Sequence, residues 1–360
     1  MITACPPIGT PKRPFDCKRR EARALQARWI EQLAFGEQRD QDELVQLWLG
    51  IFPVSWRQLN DMRMLERQIL AIRESLQGSY TDLLGAMVQD AALQISLNGL
   101  SNHRGKPNEN LARELLELFS LGEGNYAERD VIEAARALTG YRMGKDGRLF
   151  IDTRRHDDSA KTILGKTERF NGASLVGWLC QQPSTAHNIV KRLWPRVVGS
   201  LPSPQRLQTL SLAWFREGLS LPWLMRELRR SPEAIAGGGQ RLDDPIKVVT
   251  RSLALLGSRH PDAFSISQMH LSRMGQEPFD PPSVKGWPVN EEWINLRWLQ
   301  ARRRGLQALL ADEEVWASRR LPQVLSPSIA PIPPLTMELP APASRESLGL
   351  LFTDPVWQLA

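Results

Sequence analysis

The chain has 360 residues, of which 42% are hydrophobic and 24% charged, with a net charge of +6 and a pI near 9.5. These proportions are ordinary for a globular chain and exclude collagen, a coiled coil and wholesale disorder. The length is enough for one large core or two modest ones. The positive excess is spread thinly: Lys191-Arg192, Arg229-Arg230 and Arg302-Arg303-Arg304 fall within helical patterns and read as solvated helix faces. Nucleic-acid binding therefore ranks third among the function classes, since it needs basic residues gathered on one face or a known reading motif.

Residues 1–17 read as an irregular arm, with prolines at 6, 7, 11 and 14. Cys5, Cys17 and Cys180 form no CxxC pair, and their odd number and wide spacing argue against a disulfide framework or a cysteine-built zinc site. No apolar stretch precedes Ala4-Cys5, so cytoplasmic residence is the default, although a start codon assigned too far downstream would hide an export signal.

A first helical part spans 18–140. Ala22, Leu25, Trp29 and Leu33 recur at three- and four-residue steps, and similar patterns cover about 41–52, 56–77 and 79–97. The clearest helix is 108–121, opened by Pro107-Asn108 and stopped by Gly122; a second runs over 127–139. Residues 141–172 change character. Turn signals at Gly144, Asp146-Gly147, Asp157-Asp158 and Asn171-Gly172 bracket short apolar runs at 149–151 and 162–164, an insert of loop or short strands.

A second helical part, 173–312, carries helical period at 173–182, 184–198, 205–217, 221–230, 245–257, 263–274 and 292–311, with a Pro/Gly/Trp loop at 275–290. From 313 to 360 a Pro-rich tail follows. Seven prolines between Leu321 and Pro342 bar a membrane helix and predict a segment that the fold can lose. Leu350-Leu351-Phe352 and Trp357 are its only candidate anchors. The expected fold class is mainly α, an irregular multi-helix bundle with a small β/loop insert.

Three ordered blocks carry a resemblance. The first is Pro107-Asn108-Glu109-Asn110-Leu111-Ala112-Arg113-Glu114-Leu115-Leu116-Glu117-Leu118-Phe119, continued through Gly122, Tyr126, Glu128, Asp130-Val131, Glu133, Ala135-Arg136-Ala137 and Thr139-Gly140. The second is His156-Asp157, Lys161 and Leu164-Gly165. The third is Phe279, Pro281-Pro282, Val284-Lys285-Gly286-Trp287-Pro288 and Trp293-Ile294-Asn295. From about Trp29 to Arg304 the chain resembles the bacterial family known as domain of unknown function (DUF) 1800, and it does so as a divergent member. Where that family often carries Trp-His-Asn-His-Phe, this chain reads Trp48-Leu49-Gly50-Ile51-Phe52. Where a family helix often begins Lys-Ser-Pro-x-Glu, the aligned residues are Asp243-Asp244-Pro245-Ile246-Lys247, with the charges exchanged. Residues four apart share a helix face, so Asp243 and Lys247 are expected to pair. Ala127 stands where the family has a capping Ser or Thr, and Asn125 with Glu128 is expected to form a capping box in its place.

The candidate polar cluster comprises Glu109, Asn110, Arg113, Glu114, Glu117, Arg136, His156, Asp157 and Lys161. Carboxylates beside a guanidinium suit acid–base work or a metal. The commoner cause of such a cluster is an ion-pair network, here Arg113 and Arg136 neutralising Glu114 and Glu117 between two helices. His156-Asp157-Asp158 suits a transition metal only with distant ligands, and otherwise reads as a hydrogen-bonded turn. With both histidines near Trp48 missing, no metal and no cofactor is expected. Trp287 stands in a Gly-Trp-Pro loop as either a ligand wall or a packing plug.

The favoured function is that of a non-catalytic or weakly active accessory protein that binds a ligand or partner. The alternative is a metal-dependent hydrolase using Glu, His and Asp. The resemblance implies a candidate partner, because genes of this family often lie beside genes for exported proteins related to alkaline phosphatases and sulfatases. If the three blocks meet in space, the helix would supply carboxylates, the His156 loop an imidazole and Trp287 an aromatic wall.

Overall fold

The computed structural model describes residues 14–144 and 146–359; the arm expected at 1–17 lies outside the described residues up to position 13. Beyond that point the expected arm is already helix. The first helical part holds α1 (Phe15–Phe35), α2 (Arg39–Leu49), α3 (Arg63–Ser75), α4 (Tyr80–Val88), α5 (Ala91–Ser96), α6 (Asn110–Glu117) and α7 (Glu128–Ala137). The expected run 79–97 is split because the Asp90 carboxylate accepts the Leu93 N–H at 2.8 Å and starts a new helix. Cys17, in the first turn of α1, is disulfide-bonded, which the spacing of the cysteines did not lead us to expect; Cys180 is a buried free thiol.

The insert is two antiparallel hairpins, β1 (Tyr141–Met143) with β2 (Leu149–Ile151) and β3 (Lys161–Ile163) with β4 (Lys166–Glu168). The second hairpin hangs on α7: the Leu164 N–H donates to Asp130 Oδ1 at 2.9 Å and the Thr162 N–H to Glu133 Oε2 at 3.2 Å.

The second helical part holds α8 (Gly172–Cys180), α9 (Pro183–Val197), α10 (Pro204–Arg216), α11 (Leu221–Arg229), α12 (Pro232–Ala236), α13 (Pro245–Leu256), α14 (Pro261–Arg273) and α15 (Leu296–Ala311). From α9 to α14 every helix has proline at its first or second position. There the fixed φ suits the helix and the missing N–H has no intrahelical partner to lose. A proline-rich sequence is thereby compatible with a mainly α fold.

One continuous apolar core joins both parts. Near its middle, Trp48, Phe52, Tyr80, Phe119 and Trp214 pack ring against ring, with centroids 5.1 Å apart for Phe52–Phe119 and 5.9 Å for Tyr80–Trp214. Among the described residues, no helix is long and apolar enough to cross a membrane.

The tail differs from expectation. It forms α16 (Glu313–Ala317), a short antiparallel pair β5 (Val324–Leu325) and β6 (Ala341–Pro342), and α17 (Arg345–Thr353), which packs on α15. Leu348, Leu351, Phe352, Val356 and Trp357 are buried. The indole N–H of Trp357 donates to Ser252 Oγ at 2.8 Å, and the Arg251 guanidinium lies 4.6 Å above its ring. The prolines keep the linker extended, but the apolar residues beyond them dock. Trp357→Ala should therefore cost roughly 3–5 kcal/mol, as for other buried tryptophans, read from the denaturation midpoint. Truncation after Leu321 should cost more. An unchanged midpoint in the truncated chain would show the docking to be dispensable.

Candidate functional site

The site is built around the end of α6. A helix end leaves carbonyls without intrahelical donors, and here side chains reach the carbonyl of Glu117 and those of the three residues after it. Asn188 Nδ2 on α9 donates to the carbonyls of Glu117 at 3.2 Å and Ser120 at 2.9 Å. Arg192 Nη1, one turn on, donates to the Leu118 carbonyl at 2.6 Å, and the Tyr80 hydroxyl to that of Phe119 at 2.7 Å. Arg192 thus sits at the negative end of α6, where a cation is favoured. The expected solvated face at Lys191-Arg192 is half wrong: Lys191 is exposed, and Arg192 turns inward. Arg302 is likewise buried, donating to the Asp243 carbonyl at 2.7 Å, while Arg303 and Arg304 are exposed.

Asn188, Arg192 and Arg196 recur every four residues and so share one face of α9. Arg196 Nη1 donates to the Arg192 carbonyl at 2.8 Å. Among the described residues, neither arginine has a carboxylate within ion-pair distance. Burial pulls the pKa of Arg192 down to about 10 and also lowers that of Arg196. Arg192 stays charged at neutral pH.

The third block closes the site. Gly286 has a φ of 91° and its position would bring a Cβ to 2.3 Å from the Gly50 carbonyl, so only glycine fits there. The loop is thereby pressed against the end of α2. A cavity of about 1240 Å³ opens between it, α9 and the residues after α6, bordered by Glu117, Asn188, Arg192, Lys285 and Trp287. A smaller one of about 400 Å³ lies between α2, α11 and the start of α13. Arg196 and Trp287 border both. Trp287 is only 7% exposed, and its Nε1 is buried without an acceptor. It is packed like a plug and is at the same time a cavity wall.

The predicted cluster divides into three. Arg113 pairs with Glu109 at 3.1 Å and with Glu128, joining α6 to α7, while Asn110 is exposed at the start of α6. Arg136 pairs with Glu133 at 2.7 Å and with Asp157 at 2.8 Å. Burial raises the Asp157 pKa, but the Arg136 and Ser159 side chains more than offset this and hold it well below the usual carboxylate range. Lys161 is buried, donating to the Ser159 carbonyl at 2.8 Å. His156 Nδ1 lies 2.9 Å from the Thr139 carbonyl oxygen, which fixes that nitrogen as a donor. His156, Asp157 and Lys161 border neither cavity. Among the described residues no three His, Cys, Asp or Glu side chains gather as a metal would require.

Glu114 and Glu117 form the third part, and neither is paired with Arg113 or Arg136. Glu117 accepts from the Tyr126 hydroxyl at 3.3 Å. Glu114 makes no side-chain hydrogen bond or ion pair within the described chain; burial raises its pKa, Glu117 adds to the rise, and Lys285, Arg113 and Arg192 oppose it. The helix, the third block and α9 are thus brought together, and the second block is not. Asn188, Arg192, Arg196 and Lys285 went unnoticed as a group. The four-residue spacing on α9 was the available signal, but it is also what a solvated face looks like.

Two local expectations are corrected. Asp243 does not pair with Lys247, because α13 starts only at Pro245 and the two share no helix face. Asp243 faces Arg241 Nη2 at 3.2 Å and Arg251 Nη1 at 3.4 Å. Asn125 and Glu128 form no capping box. The Ala127 N–H donates to Asp130 Oδ2 at 2.8 Å, and Asn125 turns back to the Leu121 carbonyl at 3.0 Å.

Asp243→Asn should destabilise by about 3 kcal/mol, since a buried charge network loses its only acid; Lys247→Ala should stay within about 0.5 kcal/mol. Equal losses in chemical denaturation would restore the Asp243–Lys247 pair. For Glu114, the folded protein binds the carboxyl proton more tightly than the unfolded chain. Ionisation then penalises the folded state as pH rises through the folded value, and the penalty vanishes below the ordinary value of about 4.3. Glu114→Gln should be more stable than the parent at about pH 7 and equal to it near pH 4. A gain that does not depend on pH would rule out desolvation as its source.

The chain matches no curated protein and no solved structure. A family model described as protein of unknown function (DUF1800) matches residues 11–352, nearly the whole chain. The apolar core at Trp48–Phe52, the α6–α7 pair and the Gly286-Trp287 loop all lie inside that match, and the chain belongs to the DUF1800 family.

Proposed function

We propose that the chain is an accessory binding protein with little or no catalytic activity of its own. Its ligand or partner is received at the face where the end of α6, α9 and the Gly286-Trp287 loop meet. The observation that supports this most is the wall shared by the two cavities: a buried indole and a guanidinium with no carboxylate in ion-pair contact among the described residues. An apolar wall with a few fixed polar groups is the usual make-up of a binding pocket. The hydrolase reading finds less support, because His156 is committed to Thr139 and Asp157 to Arg136.

The partner suggested by the family association is an exported protein related to alkaline phosphatases and sulfatases. The disulfide at Cys17 favours an oxidising compartment over the cytoplasm, which suits an exported partner. Lys191 and Lys285 are exposed on this face, so their reversal leaves the core intact. Co-purification of the chain with the phosphatase- or sulfatase-like protein encoded beside it should yield a stoichiometric complex. Lys191→Glu with Lys285→Glu should weaken it by about tenfold, the effect of two rim charges. A complex that ignores the double reversal, or no complex at all, would sink this choice of partner.

A further inference from the structure

Arg196 is the side chain whose setting the fold explains least. Arg192 has a helix end to cap, whereas Arg196 makes one hydrogen bond, to the Arg192 carbonyl. Its remaining N–H groups have no acceptor among the described residues, yet it borders both cavities. Two acids act on it from a distance and both are engaged. Asp244 Oδ1 accepts from the Trp293 indole N–H at 3.0 Å, and Glu292 Oε2 from the Val289 N–H at 2.8 Å. A charge in this position is costly unless something pairs with it. Trp287 borders the same cavity, while its Nε1 is buried without an acceptor among the described residues. Gly50 lies next to Arg196: a Cβ there would stand 3.9 Å from Arg196 Nε, at ordinary contact distance, and 3.2 Å from the Leu47 carbonyl. Gly50 has an ordinary helical φ of −75°, so its backbone does not demand glycine. Asp40 and Glu43 border the cavity from exposed positions on α2, nearer solvent.

We propose that the cavity of about 400 Å³ between α2, α9 and α13 binds one anionic group, phosphate, sulfate or carboxylate, held by Arg196, on a ligand whose apolar part lies against Trp287. A guanidinium presents a planar fork of donors that matches such oxyanions in two-point contact. The proposal rests on the binding-protein reading given above and adds to it the chemistry of the ligand.

Calorimetric titration of the full chain with inorganic phosphate, sulfate, acetate, phenyl phosphate, phenyl sulfate and benzoate at low ionic strength tests it. One saturable site is expected for at least one of the three anion types, with millimolar affinity, roughly −4 kcal/mol. The aryl form of that anion should bind more tightly, because its ring meets Trp287. Which pair binds best identifies the anion. Arg196→Gln should lower the affinity by at least tenfold, in line with loss of a charged hydrogen bond. Gly50→Asp, which puts a carboxylate beside the guanidinium, should do the same even if Arg196→Gln folds poorly. Asp244→Asn keeps the acceptor for Trp293 and should tighten binding several-fold. Absence of saturation by every probe overturns the proposal, as does binding that neither Arg196→Gln nor Gly50→Asp alters. If the anion binds and the co-encoded protein does not, only the partner reading fails; the reverse result removes the anion site and leaves that reading standing.

Discussion

The arrangement of the candidate site depends on how the carbonyls at the end of α6 are satisfied. α6 is eight residues long and its last turn unwinds within the core, where an unpaired carbonyl would cost about 1–3 kcal/mol. Asn188 and Arg192 reach across from α9 to supply the donors, Tyr80 supplies one from α4, and the Ser120 hydroxyl turns back to the Leu115 carbonyl at 2.6 Å. This sets the distance between α6 and α9, and with it the position of Arg196 two turns further from Asn188. The cavity is the space left over once the Gly286-Trp287 loop has closed on Gly50 and α9.

Charge is distributed accordingly. Where helices pack at partly exposed edges, arginines are paired: Arg113 with Glu109 and Glu128, Arg136 with Glu133 and Asp157. Such pairs contribute modestly to stability, and their main effect is to hold α6, α7 and the 156–159 loop in register. Arg196, which borders both cavities, is desolvated without a carboxylate in ion-pair contact among the described residues. A perturbed group facing a concavity is a functional pointer with a physical basis; in the second block Asp157 is paired with Arg136 and His156 is bonded to Thr139.

The departure at Trp48-Leu49-Gly50-Ile51-Phe52 divides along the same line. Trp48 and Phe52 stack on Tyr80, with centroids 5.7 and 6.4 Å away, and keep the core closed. Leu49 and Ile51, at the places of the family's histidines, are buried and apolar. Gly50, between them, borders the cavity. Trp48, Leu49, Ile51 and Phe52 all serve packing here. What faces the cavity instead is donated by α9.

Local pattern settled a good deal. Apolar residues at three- and four-residue steps, proline at helix starts and glycine at turns placed most helices, the two strands of the insert that show apolar runs, and the three blocks that carry the family resemblance. These signals are local because periodicity follows from backbone geometry within a few residues. The choice of partner for each polar group was decided by the tertiary structure. Asp243 met Arg241 and Arg251 rather than Lys247, His156 was tied to Thr139, and a tail that reads as a proline linker was held by Trp357 and Phe352. A charged side chain on a helix looks the same in sequence whether it faces water or the end of another helix. Only long-range packing decides which face of α9 meets α6, and that decision turned Arg192 into a cap and left Arg196 facing the cavity.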